Sequence, residues 1–164
     1  NMSLKNQGFK NIEQFKKKLE KRLIANPHKN SLKAVGRSTL VVNNTVVKSI
    51  TAGGTGETVK KYEPTRTHTQ SKPLDPPASD TGFLVSQITS DISSNPDGSV
   101  VGQIISSAPY SKALEFGTTN MTERPFMQPA LRKNKKKILQ IFRQEGVIRW
   151  VLVSFNYKVL YILL

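Results

Sequence analysis

The hydrophobic pattern of residues 9–26 predicts an N-terminal helix. Its apolar positions are Phe9, Ile12, Phe15, Leu19 and Leu23. Steps of three and four residues place these side chains on one helical face. A residue before proline is disfavoured in the helical region, so we expect this helix to end at the Asn26-Pro27 step.

A second helix is predicted from Ser31, whose side chain suits the N-cap, to about residue 50. Its apolar face is formed by Leu32, Val35, Thr39, Val42, Val46 and Ile50. The stretch is rich in β-branched residues, which lower helix propensity, so this helix requires tertiary packing. A strand over residues 39–50 is the alternative interpretation.

Residues 51–81 have no hydrophobic period and predict an extended arm. Gly53-Gly-Thr-Gly56 interrupts regular structure, and the prolines after it disfavour its return. The glycines do not match a phosphate-binding loop. No Gly-x-x-x-x-Gly-Lys is present, and Val59 stands where Gly-x-Gly-x-x-Gly needs its third glycine.

A β-hairpin is predicted after the turn Asp80-Thr-Gly82. Residues 83–94 alternate loosely, with Leu84, Ser86, Ile88, Ser90 and Ile92 on one face. Asn95-Pro-Asp-Gly98 is a strong turn signal, and residues 99–107 return as the second strand.

The next stretch predicts a short helix, a loop and a longer helix. Pro109 suits the first position of the short helix, and Tyr110, Ala113 and Leu114 share one of its faces. Gly117 stands where a helix ends in a left-handed residue. A cluster of Phe116, Phe126 and Met127 indicates a buried elbow between the two helices.

The long helix is expected over about residues 127–145, with Pro129 well placed at its first position and Gly146 as its cap. Its inward residues are predicted to be Leu131, Ile138, Ile141 and Phe142. Residues 147–164 are apolar apart from Arg149 and Lys158. Two interior charges and a β-branched bias favour one or two strands there over a membrane span.

These elements predict one α+β domain over residues 1–164. It has two N-terminal helices (1–50), an extended arm (51–81), a small antiparallel sheet, and a long C-terminal helix packed on that sheet (82–146). The apolar segment 147–164 completes the chain.

Charge changes this picture most. Lys and Arg number 25 against 11 Asp and Glu, which gives a net charge of +14 and a pI of about 10.2. This balance favours nucleic acid, an anionic membrane or acidic protein surfaces as partners. No Lys or Arg occurs between Lys72 and Lys112, so an acidic middle separates two basic ends. The basic runs are Lys16, Lys17 and Lys18, and then Arg132, Lys133, Lys135, Lys136 and Lys137.

The sequence offers little catalytic chemistry. Cysteine is absent, His28 and His68 lie far apart, and no serine lies in Gly-x-Ser-x-Gly. We therefore expect no enzyme activity, no metal and no small-molecule cofactor. Glu115 is interpreted as a partner for Arg124 across the elbow, or for a lysine of a neighbouring subunit.

Three blocks resemble one protein family. They are Pro76-Pro-Ala-Ser-Asp-Thr-Gly-Phe-Leu84, Ala108-Pro-Tyr-Ser-Lys-Ala-Leu-Glu-Phe-Gly-Thr118 and Arg124-Pro-Phe-Met-Gln-Pro-Ala-Leu131. Their order and composition resemble the head–tail neck or tail-completion proteins of tailed phages, the "tail component" family of lambdoid siphophages. The resemblance covers about residues 66–140 and gives two sets of candidate residues. The elbow set is Tyr110, Leu114, Glu115, Phe116, Gly117, Thr118, Arg124, Pro125, Phe126, Pro129 and Ala130. The arm set is Pro76, Pro77, Asp80, Thr81 and Gly82.

The resemblance implies a structural virion protein at the head–tail junction, assembled in the host bacterial cytoplasm. It implies a homo-oligomeric ring, by analogy a hexamer, whose arm contacts neighbouring subunits. Other neck, connector and tail proteins are the expected partners, and genomic DNA passes through without sequence preference. A tail terminator or stopper in the same neck is one alternative. A basic, sequence-independent nucleic-acid-binding protein is an alternative from another class.

Overall fold

The computed structural model describes residues 12–14, 27–62 and 65–147, and the backbone of residues 160–163. It confirms the α+β class. The elements in chain order are α1 (Pro27–Thr51), β1 (Thr58–Tyr62), β2 (Thr65–Thr69), α2 (Phe83–Ser86), β3 (Ile88–Ser94), β4 (Val100–Ser106), α3 (Ser111–Phe116), α4 (Met127–Gln144) and β5 (Leu160–Leu163). Residues 12–14 are helical, and the rest of the predicted first helix lies outside the described residues.

Helix α1 confirms the second predicted helix over the strand alternative. The predicted start at Ser31 is wrong, because the helix begins at Pro27. Proline is favoured at a first helical position, where its fixed φ is already helical and its missing N–H has no intrahelical partner. The buried face carries Val35, Val42 and Val46, so tertiary packing compensates for the β-branched content.

The central sheet has the strand order β3-β4-β5. Strands β3 and β4 form the predicted antiparallel hairpin, with Ile88 opposite Ser106 and Ile92 opposite Gly102. Strand β5 adds a parallel neighbour to β4, starting with Leu160 beside Gly102.

The first part of the predicted strand 83–94 is wrong, because Phe83–Ser86 forms the helical turn α2. Gly82 enters it with φ 79°. The Ser86 hydroxyl closes the turn by donating to the Phe83 carbonyl at 2.8 Å. A serine that bonds the local backbone in this way favours a turn over a sheet ladder.

Helix α1 lies directly on β4, and Gly102 permits this close approach. A Cβ at Gly102 would lie 2.1 Å from Thr39 Oγ1 and 2.8 Å from Val35 Cγ1. Both distances are far inside van der Waals contact, so a larger residue would push the helix away from the sheet. The register of α1 on the sheet therefore depends on this glycine.

Helix α4 runs antiparallel to α1. Arg37 Nη1 lies 2.5 Å from Glu145 Oε1 at one end, and Asn134 Nδ2 donates to Thr45 Oγ1 at 2.8 Å further along. The start of α4 joins the sheet in one core, which contains Ile88, Ile104, Phe126, Met127 and Ala130. The predicted cap is present: Gly146 has φ 72°, its N–H donates to Arg143 O, and the Val147 N–H donates to Phe142 O.

The arm contains a hairpin that the hydrophobic pattern did not predict. Strands β1 and β2 pair antiparallel, from Thr58 opposite Thr69 to Tyr62 opposite Thr65. The arm also returns to the domain, where the Ser79 N–H donates to the Ile50 carbonyl at 3.0 Å. Residues 51–81 are therefore not extended throughout, because a polar hairpin forms within them.

Candidate functional site

The short helix of the elbow begins two residues later than predicted. Helix α3 starts at Ser111, and Pro109 lies in the turn before it, where the Ser111 N–H donates to Ala108 O at 3.0 Å. Buried hydroxyl groups fix this start, because Ser111 Oγ and Ser106 Oγ lie 2.5 Å apart. The end of β4 and the start of α3 are thereby held together.

Glu115 has a different partner from the predicted one. Its side chain is only 2% exposed, and it does not pair with Arg124. Its Oε2 accepts the Phe126 N–H at 2.8 Å and the Met127 N–H at 3.0 Å, and its Oε1 accepts the Gln128 N–H at 2.8 Å. The carboxylate of α3 therefore caps the N-terminus of α4.

This cap is complete because of a proline. The first four N–H groups of a helix have no intrahelical partner, and here they belong to positions 126–129. Glu115 accepts three of them, and Pro129 has no N–H to donate. Pro129 is therefore the third residue of α4, and the prediction that it is the first residue is wrong. The negative charge of Glu115 is also favourable beside the positive end of the helix dipole.

Gly117 has positive φ, as predicted, but its ψ is extended and not left-handed helical. Its φ is 72° and its ψ −178°, a combination that is essentially restricted to glycine. A Cβ there would lie 2.9 Å from the Met121 carbonyl oxygen and 3.0 Å from the Glu123 nitrogen. The loop then closes through an isolated bridge between Thr118 and Met121.

The prediction that Phe116 is buried is wrong. Phe116 is 53% exposed, whereas Phe126 is fully buried as predicted. Ser111 and Glu115 occupy the inward face of α3, so the next residue after Glu115 points outward. Tyr110 is also partly exposed, and its ring centroid lies 6.2 Å from that of Phe83.

Arg124 connects the elbow with the arm. Its N–H donates to the Leu114 carbonyl at 2.6 Å, and its Nε donates to the Ser71 carbonyl at 3.4 Å. Both contacts are to backbone, so Arg124 positions the loop without a carboxylate partner.

The elbow and arm residues meet around one open cleft of about 350 Å³. From the arm, Pro77, Asp80, Thr81 and Gly82 line it; from the elbow, Tyr110, Leu114 and Arg124 do so. His68, Ser71 and Phe83 also line the cleft, although none of them was predicted to belong to the site. The sequence does carry a signal for the strand that places His68 there. Threonine alternates at Thr65, Thr67 and Thr69, as in a half-exposed strand.

At one side of the cleft, a cluster of charged groups holds the hairpin β1–β2 against the end of the arm at Asp80. Asp80 Oδ1 lies 2.8 Å from Arg66 Nε, Asp80 also pairs with Lys61, and His68 Nδ1 lies 3.8 Å away. Hydrogen bonds from Arg66 first and Lys61 second hold the pKa of the Asp80 carboxyl far below its ordinary value. Asp80 therefore joins the hairpin to the end of the arm.

The basic residues predicted on α4 are exposed, as expected. They are Arg132, Lys133, Lys135, Lys136 and Lys137. Arg132 donates to Gln128 Oε1 at 3.2 Å, and within the described ranges none of the five forms an ion pair. The other basic run, Lys16 to Lys18, lies outside the described residues.

No protein-family model, curated protein or solved structure matches this chain significantly. Among residues 12–14, 27–62 and 65–147, no three His, Asp or Glu side chains lie together as metal ligands. No helix within the described part of the chain has the length and apolar character needed to cross a membrane.

Proposed function

We propose that this chain is a structural virion protein of the head–tail junction of a tailed phage. It acts as a neck or tail-completion component that joins head and tail around the DNA path. The observation that carries this proposal is the Glu115 cap, which joins two of the three sequence blocks that resemble the family. The capped elbow is held together by these hydrogen bonds, and it exposes the aromatic side chains of Tyr110 and Phe116.

The exposed apolar residues beside the elbow support an assembly role. Phe83, Tyr110 and Phe116 are all more than two-fifths exposed, and Leu74 is 63% exposed. Leu74 also has φ 69°, a backbone conformation that costs free energy for a leucine. Large exposed apolar groups held in fixed positions are typical of protein–protein contact sites. These four residues are therefore the proposed contacts to ring neighbours or to adjoining neck proteins.

Two substitutions test this surface without disturbing the core. The double variant Tyr110→Ala/Phe116→Ala should change the stability of the isolated protein by less than about 1 kcal/mol, because both side chains are largely exposed. In phage production the same variant should leave heads and tails unjoined. Leu40→Ala is the matched control, because Leu40 is an equally exposed apolar residue on α1.

Imaging gives the direct test of location. Particles that contain the wild-type protein should have symmetric density for it at the head–tail junction, with six copies by analogy with other neck rings. Density on the capsid lattice or at the tail tip would refute the proposal.

The unpaired cations of α4 favour a second candidate, a sequence-independent nucleic-acid-binding protein that acts outside a virion. The two candidates differ in one measurement. A neck component is found in purified particles at a fixed copy number, whereas a free nucleic-acid-binding protein is found in the cell lysate and not in particles.

A further inference from the structure

We propose that the outward face of the α1–α4 pair binds the phosphate backbone of double-stranded DNA without reading its sequence. The helix-pair face is the exposed surface of these two helices, which carries ten exposed cations, four on α1 and six on α4. They are Lys29, Lys33, Arg37, Lys48, Arg132, Lys133, Lys135, Lys136, Lys137 and Arg143. All but Arg37 and Arg132 are without a hydrogen bond or ion pair to the rest of the described chain.

The fold brings two separate stretches of sequence into this one face. Contacts between Arg37 and Glu145 and between Thr45 and Asn134 fix α1 and α4 side by side and antiparallel. The opposite side of α1 packs on β4, so its exposed row is directed away from the sheet. Lys29, Lys33 and Arg37 follow one another at intervals of four residues, which corresponds to a rise of about 6 Å each.

Little negative charge balances this face. Neither helix contains an acidic residue, and the Glu145 that follows α4 is already paired with Arg37. The exposed acid Asp91 lies on the other side of the molecule. Its neighbour Ile92 faces α1, with Cδ1 3.2 Å from the Cβ position of Gly36, so side-chain alternation directs Asp91 away from the helices.

The residue types favour phosphate over a protein partner. Seven of the ten cations are lysines, four from the run on α4 and three from α1. Lysine is depleted in protein–protein interfaces, where ordering and dehydrating its long side chain costs free energy. Phosphate backbones do not require this, because released counterions drive the binding and the ammonium groups stay partly hydrated.

The same surface also favours duplex DNA over single strands and membranes. Single-strand binding proteins stack bases on exposed aromatic rings, and neither α1 nor α4 exposes one. Leu40 is the single large apolar side chain exposed on these two helices, which is too little for insertion into a membrane interface. A basic, lysine-rich helix pair with one large exposed apolar side chain is therefore suited to the phosphate backbone of a DNA duplex.

This inference deepens the neck proposal and depends on it for its biological meaning, since a neck ring surrounds packaged duplex DNA. Its physical test is separate, because binding is measured on the purified full chain. Loss of duplex binding would leave the imaging test of neck location unaffected, and absence from the neck would leave the binding measurement unaffected.

The experiment measures fluorescence anisotropy with two duplexes of about 30 base pairs and unrelated sequence, over a range of KCl concentrations. The wild type should bind both equally, with log K falling linearly against log salt. The triple variant Lys133→Gln/Lys136→Gln/Lys137→Gln should bind at least about tenfold more weakly, and its slope should be shallower by about 0.9 for each phosphate contact removed.

The control is the triple variant Lys60→Gln/Lys72→Gln/Lys112→Gln, which changes net charge equally but lies outside the helix-pair face. It should retain the wild-type slope. Equal losses in both variants would overturn the proposal, because overall charge would then explain the binding. Tighter binding to a single strand, or displacement of the duplex by an equal charge concentration of polyglutamate, would overturn it as well.

Discussion

Replacing Glu115 tests whether the motif is a folding element, because its carboxylate is the complete cap of α4. Glu115→Ala leaves the N–H groups of Phe126, Met127 and Gln128 without their acceptor. Phe126 and Met127 are fully buried, so water reaches their N–H groups poorly. An unsatisfied buried donor costs about 1–3 kcal/mol, and the lost charge–dipole interaction adds about 0.3–1 kcal/mol.

The expected loss for Glu115→Ala is therefore about 3–5 kcal/mol of unfolding free energy. Glu115→Gln keeps one acceptor oxygen but directs an NH₂ group at the remaining N–H, so we expect a smaller loss of about 1–3 kcal/mol. Urea unfolding followed by circular dichroism measures both. In a chain of this length, 3–5 kcal/mol corresponds to a fall in Tm of about 10 °C.

Glu123→Ala is the matched control, because it removes an exposed carboxylate from the loop between α3 and α4. It should change stability by no more than about 0.5 kcal/mol. The expected order of stability is wild type, then Glu115→Gln, then Glu115→Ala. This order follows from the number of acceptor oxygens that each variant retains. If Glu115→Ala were as stable as Glu123→Ala, the cap would contribute nothing to folding and the reasoning from its geometry would be wrong.

Four further predictions follow from the packing and the charges. Phe126→Ala should lose about 3–5 kcal/mol in urea unfolding, and Phe116→Ala less than about 1 kcal/mol; equal losses would contradict the assigned burial. Gly102→Ala should lower Tm strongly, because its Cβ would clash with α1, and an unchanged Tm would mean that α1 is not held so close. Gly117→Ala should also destabilise, since φ is positive and the added Cβ meets backbone atoms; a neutral result would mean that the loop refolds freely. The pKa of Asp80 is lowered by its hydrogen bonds with Arg66 and Lys61, so its contribution to stability is present above the unfolded-state pKa of about 3.9 and is lost as pH falls below it; the protection factors of the β1–β2 amides, corrected for the intrinsic exchange rate, should therefore fall below about pH 4 in the wild type but not in Asp80→Asn.

The hydrophobic pattern predicted helices α1 and α4 well, because their burial is periodic. The apolar stripe of α1 and the inward residue Ile141 of α4 both lie in the core as expected. The strong turn at Asn95-Pro-Asp-Gly98 also forms, with the Gly98 N–H donating to the Asn95 carbonyl at 3.0 Å. In these elements, local sequence preference and tertiary packing favour the same structure.

The errors have a common physical origin in polar and long-range contacts. The hairpin β1–β2 has exposed threonines and lysines, so it buries too little apolar surface to produce a hydrophobic period. The Glu115 cap joins residues that are 11 to 13 positions apart, across a loop whose path no local pattern defines. Phe116 was expected to be buried in a cluster with Phe126 and Met127, but the cap requires its neighbour Glu115 to face inward.

The fold also changes how subunit contacts are best explained. An acidic middle between two basic ends would suit charge-driven docking of one subunit on the next in a ring. Three of the four middle aspartates are engaged within the chain: Asp75 accepts from Thr55 Oγ1 at 2.6 Å, Asp80 pairs with Arg66 and Lys61, and Asp97 accepts the Ser99 N–H at 2.8 Å.

Asp91 alone among these four has no such contact within the described residues, and one carboxylate is a poor counterpart for ten cations. The middle aspartates therefore contribute little to docking on the basic residues of another copy, so in the proposed neck the ring contacts also need apolar surface. The exposed Phe83, Tyr110 and Phe116 beside the capped elbow supply apolar area for that purpose. In the proposed neck, the elbow side would therefore make the subunit contacts, and the helix-pair face would remain available for DNA.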